Sequence, residues 1–183
     1  IDKNNYIVSD GIGLIKVLRK FNYDIKERIT GVDLVVDLLK IANEDKLSVY
    51  FFGATEEVRL KLIDKVSSEY PNINIVGSCN GYVSDKDEVF TSISELKPDI
   101  VLVAMGIPMQ EKLIYNNINK FDKGIFIGIG GALDVISGSK KRAPKIFIKL
   151  NLEWFYRIMS EPRRIKKFYN ENIKFLFRAM KMK

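Results

Sequence analysis

A chain of 183 residues with 46% hydrophobic and 29% charged residues is long enough for one domain with a sizeable core and is unlike a disordered chain. Its single cysteine, Cys79, excludes an internal disulfide, and the lack of histidine excludes the usual zinc sites and histidine-based triads, leaving acid–base chemistry to carboxylates, Lys, Tyr or Cys79. The net charge of +7 is unevenly spread: residues 138–183 hold 14 Lys and Arg against 3 Asp and Glu, whereas the other 137 residues hold 16 against 20. A basic C-terminal quarter of this kind calls for a polyanionic partner, whether nucleic acid, an anionic membrane surface or a phosphorylated substrate.

The first expected element is the end of a strand, "YIVS" (6–9), followed by Asp10, a Gly11-x-Gly13 turn and a helix burying Leu14, Val17, Leu18 and Phe21. Asp10 therefore stands at a strand-to-helix junction, where an aspartate either caps the helix or offers its carboxylate to chemistry. Apolar runs then recur at "LSVYFFG" (47–53), "INIVG" (73–77), "DIVLVAMG" (99–106) and "GIFIGIG" (124–130). Helical stripes lie between them, Leu34, Val35, Leu38, Leu39 and Ala42 in one, Val58, Leu62, Ile63 and Val66 in another. Near-continuous apolar strands alternating with helices predict an α/β fold, a Rossmann-like parallel sheet with helices on both faces. The one break in composition falls near Gly138, so residues 1–137 read as the core and 138–183 as a basic, amphipathic C-terminal helical appendage.

Ligands of open parallel sheets bind beyond the carboxyl ends of the strands, and four of those ends carry glycines or polar groups: "SDGIG", "FFGATEE", "AMGIPMQE" and "GIGGALD". Glycine turns that open helices favour phosphate, which suggests a nucleotide-type ligand. Neither the dinucleotide fingerprint nor a P-loop is present. An Asp-x-Asp, Asp85 to Asp87, has the form of a metal–nucleotide motif, but its polar surroundings read as a helix start. In the appendage, Ile148, Leu152, Phe155 and Met159 are expected on one helical face, with Arg157, Arg163, Arg164, Lys166 and Lys167 clustered around Pro162. Basic helices with aromatic faces suit a membrane interface, although a packed helix pair or a nucleic-acid surface would share the pattern. No apolar run approaches the roughly 18 residues that span a bilayer, and nothing reads as a signal peptide, so a cytoplasmic chain is expected.

Taken in order, "SDGIG", "ERITGVDL" (27–34), "FFGA" (51–54), "NGY" (80–82), "PDIVLVAMGIPMQEK" (98–112) and "GIGGALDVISGSKKRAPKIFIKLNLEWFYRIMSEPRR" (128–164) resemble the WecG/TagA/CpsF family of bacterial glycosyltransferases. The resemblance implies an inverting, metal-independent transfer of an N-acetylhexosamine, typically N-acetylmannosamine, from a UDP-sugar to a polyprenyl-diphosphate-linked N-acetylglucosamine, feeding teichoic acid or capsule synthesis. It implies no cofactor, no nucleic acid, and peripheral attachment of residues 144–183 to the inner face of the cell membrane, and it leaves a homo-oligomer open. It further implies that Asp10 is the catalytic base, that Arg28 holds a phosphate or orients the sugar, that Tyr82 stacks on the nucleoside and that Asp134 accepts hydrogen bonds from it. Gln110 and Glu111 would meet a sugar hydroxyl or phosphate oxygen, and Arg157, Arg164 and Lys167 the diphosphate, with Lys167 standing where the pattern has arginine. The pattern also includes an N-terminal portion, with a strand end on the acceptor side, that is absent before Asp10 here. The chain accordingly reads as a fragment or a short form. The rival readings are a nucleic-acid-binding α/β module using the basic helices and an inactive UDP-sugar-binding fragment.

Overall fold

The computed structural model describes residues 8, 10–162, 165, 169, 170 and 174. Along the chain run α1 (Ile12–Lys20), α2 (Gly31–Glu44), β1 (Ser48–Gly53), α3 (Glu56–Glu69), β2 (Asn74–Cys79), α4 (Lys86–Leu96), β3 (Ile100–Ala104), α5 (Met109–Asn117), β4 (Ile125–Gly128), α6 (Ala132–Ile136), α7 (Lys145–Lys149) and α8 (Glu153–Ser160). They divide into two compact units, residues 31–141 in one and residues 1–30 with 142–183 in the other. The second therefore takes in both the segment around Asp10 and the appendage from Arg142 onward.

Residues 31–141 carry an all-parallel sheet in the order β2-β1-β3-β4. Its helices cover both faces because the central strands are apolar on both. Val49 and Phe51 of β1 and Leu102 of β3 join Val35, Leu39, Leu62, Val66 and Leu133 from α2, α3 and α6. The alternate residues Tyr50, Phe52, Val101 and Val103 point the other way, onto Phe90 and Ile93 of α4. The rings of Phe52 and Phe90 meet edge to face at 5.7 Å, and those of Phe121 and Phe126 at 4.5 Å. Period-2 alternation thus serves two buried faces, as parallel strands flanked by helices require.

At the amino end of the sheet, Asp99 Oδ2 accepts from the backbone N–H (2.9 Å) and hydroxyl (2.5 Å) of Ser48, while its Oδ1 accepts from Lys123 Nζ at 2.8 Å. Hydrogen bonding to Lys123, and then to Ser48, holds its carboxyl well below the usual carboxylate range. At the opposite end the chain reverses direction around the central pair. From β1 it moves outward to β2, then crosses to the other side of β1 for β3, which makes the carboxyl ends of β1 and β3 the switch point where such sheets bind ligands.

In the other unit α1 buries Ile15 and half-buries Leu14, Val17 and Leu18, whereas Phe21, one residue past the helix, is exposed. The expected strand 6–9 lies outside the described residues except for Val8, which is exposed and not in a strand. The expected single helical face from Ile148 to Met159 is interrupted: α7 ends at Lys149, Asn151 adopts a left-handed φ of 57°, and α8 starts at Glu153. Asparagine tolerates that conformation far better than most residues. Leu152 N–H closes the turn on Phe147 O at 2.7 Å, and the Phe147 and Tyr156 rings pack at 5.5 Å.

Candidate active site

In the unit formed by the two ends of the chain, Asp10 and Arg28 meet. Gly11, not Asp10, takes the N-cap position of α1, and no side chain caps that helix. The Asp10 carboxylate turns to Arg28 instead, with Arg28 Nη2 donating to Asp10 Oδ1 at 3.2 Å and Nε donating to the Asp10 carbonyl at 2.6 Å. Arg28 reaches this place because the segment after α1 is tied back: Arg19 donates to the Ile25 carbonyl at 2.8 and 3.2 Å, and Tyr23 N–H bonds to Leu18 O. The Asp10 side chain is 55% exposed and that of Arg28 only 16%. An accessible carboxylate anchored through one oxygen can accept a proton from a bound hydroxyl.

Two residues from the appendage, neither singled out by its sequence, complete the cluster. Glu153, the first residue of α8, receives Arg28 Nη2 at 2.6 Å and is 3% exposed, and Asn151 Oδ1 stands 3.5 Å from Nη1, at the outer limit of a hydrogen bond. The available signal for Glu153 was a lone acid in the apolar, aromatic run "LNLEWFY". Arg157 lies exposed in the last turn of α8, while Arg164 and Lys167 are outside the described residues.

Residues 31–141 hold the other expected groups at the carboxyl ends of the strands. Gly53 leaves β1 with φ 131° and its Cα lies where any Cβ would stand 2.3 Å from Ala104 O, so the β1 and β3 ends approach in a way only glycine permits. Ala54 N–H donates to Ala104 O and Gly81 N–H to Ala54 O, knitting the ends of β3, β1 and β2. The next residue, Tyr82, presents a ring 79% exposed. Its loop is braced by a chain of polar contacts: Tyr82 N–H donates to Asn80 Oδ1, Asn80 Nδ2 and Arg59 both donate to Glu56, and Arg59 Nη1 donates to Ser78 Oγ at 2.7 Å. The Arg59 hydrogen bond pulls the Glu56 carboxyl down to about 2. With Glu56 and Glu57 in its first turn, and Thr55 Oγ1 capping Val58 N–H, the N-terminus of α3 is unsuited to phosphate.

Gln110 is 2% exposed and works inside the protein. Its Oε1 accepts from Gly106 N–H (3.2 Å) and Gly130 N–H (2.9 Å), tying the loop after β3 to the loop after β4, and its Nε2 donates to exposed Glu111 at 2.9 Å. Asp134 is half-buried in the first turn of α6, the helix that follows β4 and packs against α2 and α3. The Asp85–Asp87 pair is committed elsewhere: Asp85 caps α4 through Asp87 and Glu88 N–H, and Asp87 accepts from Asn117 Nδ2. Burial pushes the Cys79 thiol up, which removes it as a ready nucleophile. Among the described residues, no group of three or more Cys, Asp or Glu is placed to hold a metal ion.

A family model for the glycosyl transferase WecG/TagA/CpsF family matches residues 1–183. Among curated proteins, the chain is 44% identical over 167 residues to the N-acetylglucosaminyldiphosphoundecaprenol N-acetyl-beta-D-mannosaminyltransferase of Bacillus subtilis (strain 168), an alignment covering 91% of this chain and 65% of that protein. The identically named proteins of Bacillus spizizenii and Staphylococcus aureus (strain MRSA252) are 40% and 38% identical, over 87% and 100% of this chain and 62% and 72% of their own lengths. The chain thus spans about two thirds of the length of these relatives. On a match that runs from its first residue to its last, the chain belongs to the WecG/TagA/CpsF glycosyl transferase family.

Proposed function

We propose that the chain transfers an N-acetylhexosamine, N-acetylmannosamine in the first instance, from a UDP-sugar to a polyprenyl-diphosphate-linked N-acetylglucosamine, with inversion and without a metal ion. The observation that carries this reading is the exposed carboxylate of Asp10 anchored by Arg28, in a chain whose relatives bear that transferase name. Their name specifies a β-linked product. From an α-linked nucleotide sugar, such a product requires a single displacement from the face opposite the diphosphate. Asp10 takes the proton of the acceptor hydroxyl as its oxygen bonds to the anomeric carbon, while the bond to UDP breaks and UDP leaves with the electron pair.

A departing diphosphate needs positive charge more than a proton. In this reading Arg157, Arg164 and Lys167 provide it, Lys167 as a point charge in place of a bidentate fork. The engagement of Asp85 and Asp87 within α4 and its neighbour supports leaving that task to side-chain cations. Tyr82 stacks on the nucleobase, Asp134 accepts from the nucleoside, and Glu111 meets a sugar hydroxyl, with Gln110 holding the two glycine loops beneath. The appendage docks on the anionic inner face of the cell membrane. The exposed Ile146, Leu150, Phe155 and Met159 next to Lys145, Lys149 and Arg157 support this, each basic residue adding about 1 kcal/mol near anionic lipid. No helix among the described residues is long and apolar enough to cross a membrane.

The test is transfer from UDP-N-acetylmannosamine to a lipid-diphosphate N-acetylglucosamine analogue in EDTA, comparing wild type with Asp10→Asn. Turnover that survives the chelator and collapses in the variant, with UDP binding retained, is the expected result. Failure to bind UDP, or affinity instead for RNA that falls steeply with salt, refutes the reading.

A further inference from the structure

Arg28 is bound on two sides by carboxylates of opposite character. Asp10 is mostly exposed and meets Nη2 at 3.2 Å; Glu153 is almost wholly buried and meets the same nitrogen at 2.6 Å. The shorter and drier contact dominates, because desolvation strengthens an ion pair and removes water as a competitor for the donor. Nε and Nη2 are both committed, to the Asp10 carbonyl and to the two carboxylates, and Nη1 is directed at Asn151 Oδ1. With Nε and Nη2 bonded, the planar fork is held in one orientation, so the position of Asp10 Oδ1 is set by where Glu153 holds the guanidinium. The turn that delivers Glu153 is itself specific, since Asn151 is left-handed and Leu152 N–H closes it on Phe147 O.

We propose that Glu153 is a positioning residue of the transfer reaction: from the N-terminus of α8 it clamps Arg28, and through Arg28 it orients the carboxylate of Asp10. This rests on the reading of Asp10 as base. Glu153 also divides the charge of Arg28. One guanidinium shared by two carboxylates leaves Arg28 less than a full counter-charge for Asp10, whereas without Glu153 the arginine would lose its buried anchor and its whole charge would face Asp10. The buried acid therefore keeps Arg28 near Asp10 while preventing a one-to-one ion pair that would occupy the base.

The experiment uses the full chain, with Glu153→Gln, which keeps the side-chain shape, Arg28→Gln, and their double variant. Glu153→Asp, which keeps the charge and shortens the arm, serves if Glu153→Gln does not fold by circular dichroism. Two readouts are taken: steady-state transfer, and the Arg28 Nε–H signal in 1H–15N spectra, assigned by its loss in Arg28→Gln. In Glu153→Gln the signal is expected to shift and exchange faster, and kcat to fall about 10- to 100-fold, the scale of a small misplacement of a catalytic group, with donor KM within about threefold. In the Arg28→Gln background the same change is expected to lower kcat no further. An unchanged Arg28 signal, multiplicative losses in the double variant, or a loss confined to KM would each overturn the proposal. A wild-type chain that transfers no sugar would overturn the functional reading and this role with it. That failure is distinguishable, since the Arg28 signal still reports whether the clamp exists.

Discussion

Gly128, the last residue of β4, is expected to be intolerant of a single methyl group, and the reason lies in Gln110. A Cβ at Gly128 would stand 2.6 Å from Gln110 Nε2, 3.0 Å from Cδ and 3.2 Å from Cγ, against the 3.5–4.0 Å of an ordinary contact. A flexible side chain could swing aside, but Gln110 is buried and bonded to Gly106 N–H, Gly130 N–H and Glu111. Gly128→Ala therefore either strains the site, at about 1–3 kcal/mol, or expels the amide and breaks two loop hydrogen bonds worth about 1 kcal/mol each. Both routes give about 2 kcal/mol, or roughly 4–8 °C in Tm for a chain of this size. Gln110→Ala should cost a similar amount by losing the same two bonds. Once the glutamine is gone the methyl has room, so the double variant should be no less stable than Gln110→Ala within about 0.5 kcal/mol, a coupling of about 1.5–2 kcal/mol. Thermal and urea melts of the four proteins decide it. A neutral Gly128→Ala, or additive losses, would refute Gln110 as the brace between the two glycine loops.

At Gly53, Ala is expected to be worse than at Gly128, because the obstacle is the Ala104 backbone and φ is 131°; about 3 kcal/mol or more should be lost, read as a depressed Tm or failure to yield folded protein. Asp99→Asn should lower the urea midpoint at pH 7. Since the folded carboxyl titrates below its ordinary 3.8, its contribution is present above about pH 4 and is lost as pH falls through the folded value, so the gap between wild type and variant should narrow on going from pH 7 to pH 3; a constant gap contradicts the assignment. Tyr82→Ala, at an exposed ring, should leave the Tm within about 1 °C yet weaken UDP binding by calorimetry about tenfold, the scale of one lost stacking contact; unchanged affinity removes Tyr82 from the nucleotide site.

The sheet was legible because burial on two faces writes itself locally, as the uninterrupted runs at 47–53 and 99–106. Their ends were less so. The run 124–130 yields a strand only over Ile125–Gly128, since Gly130 turns with φ 52° and its N–H goes to Gln110, a partner 20 residues away. Similarly, 73–77 extends to Cys79 because the paired strand β1 continues alongside it to Phe52. The apolar spacing 148–152–155–159 fits a single helix, and nothing in that periodicity announces the left-handed Asn151 that divides it. Asp10 was legible as a junction residue, but its choice between capping α1 and pairing with Arg28 depended on a segment 18 residues further along.

Glu153 shows most clearly where local grammar ends. An acid at the start of a helix has an ordinary explanation in the helix dipole, so sequence alone offers no reason to look further. Its burial is what demands one, because a carboxylate 3% exposed needs a cation, and the cation lies 125 residues earlier. Loop closure over such a separation grows only logarithmically in cost, so a single well-formed cluster can join the two ends of a chain this long. Arg28 is suited to be that junction, since one planar group reaches a backbone carbonyl, two carboxylates and an amide at once, which lysine could not. The residues around Asp10 and the first turn of α8 are therefore one electrostatic unit. A change in the appendage at position 153 is a change in the surroundings of Asp10.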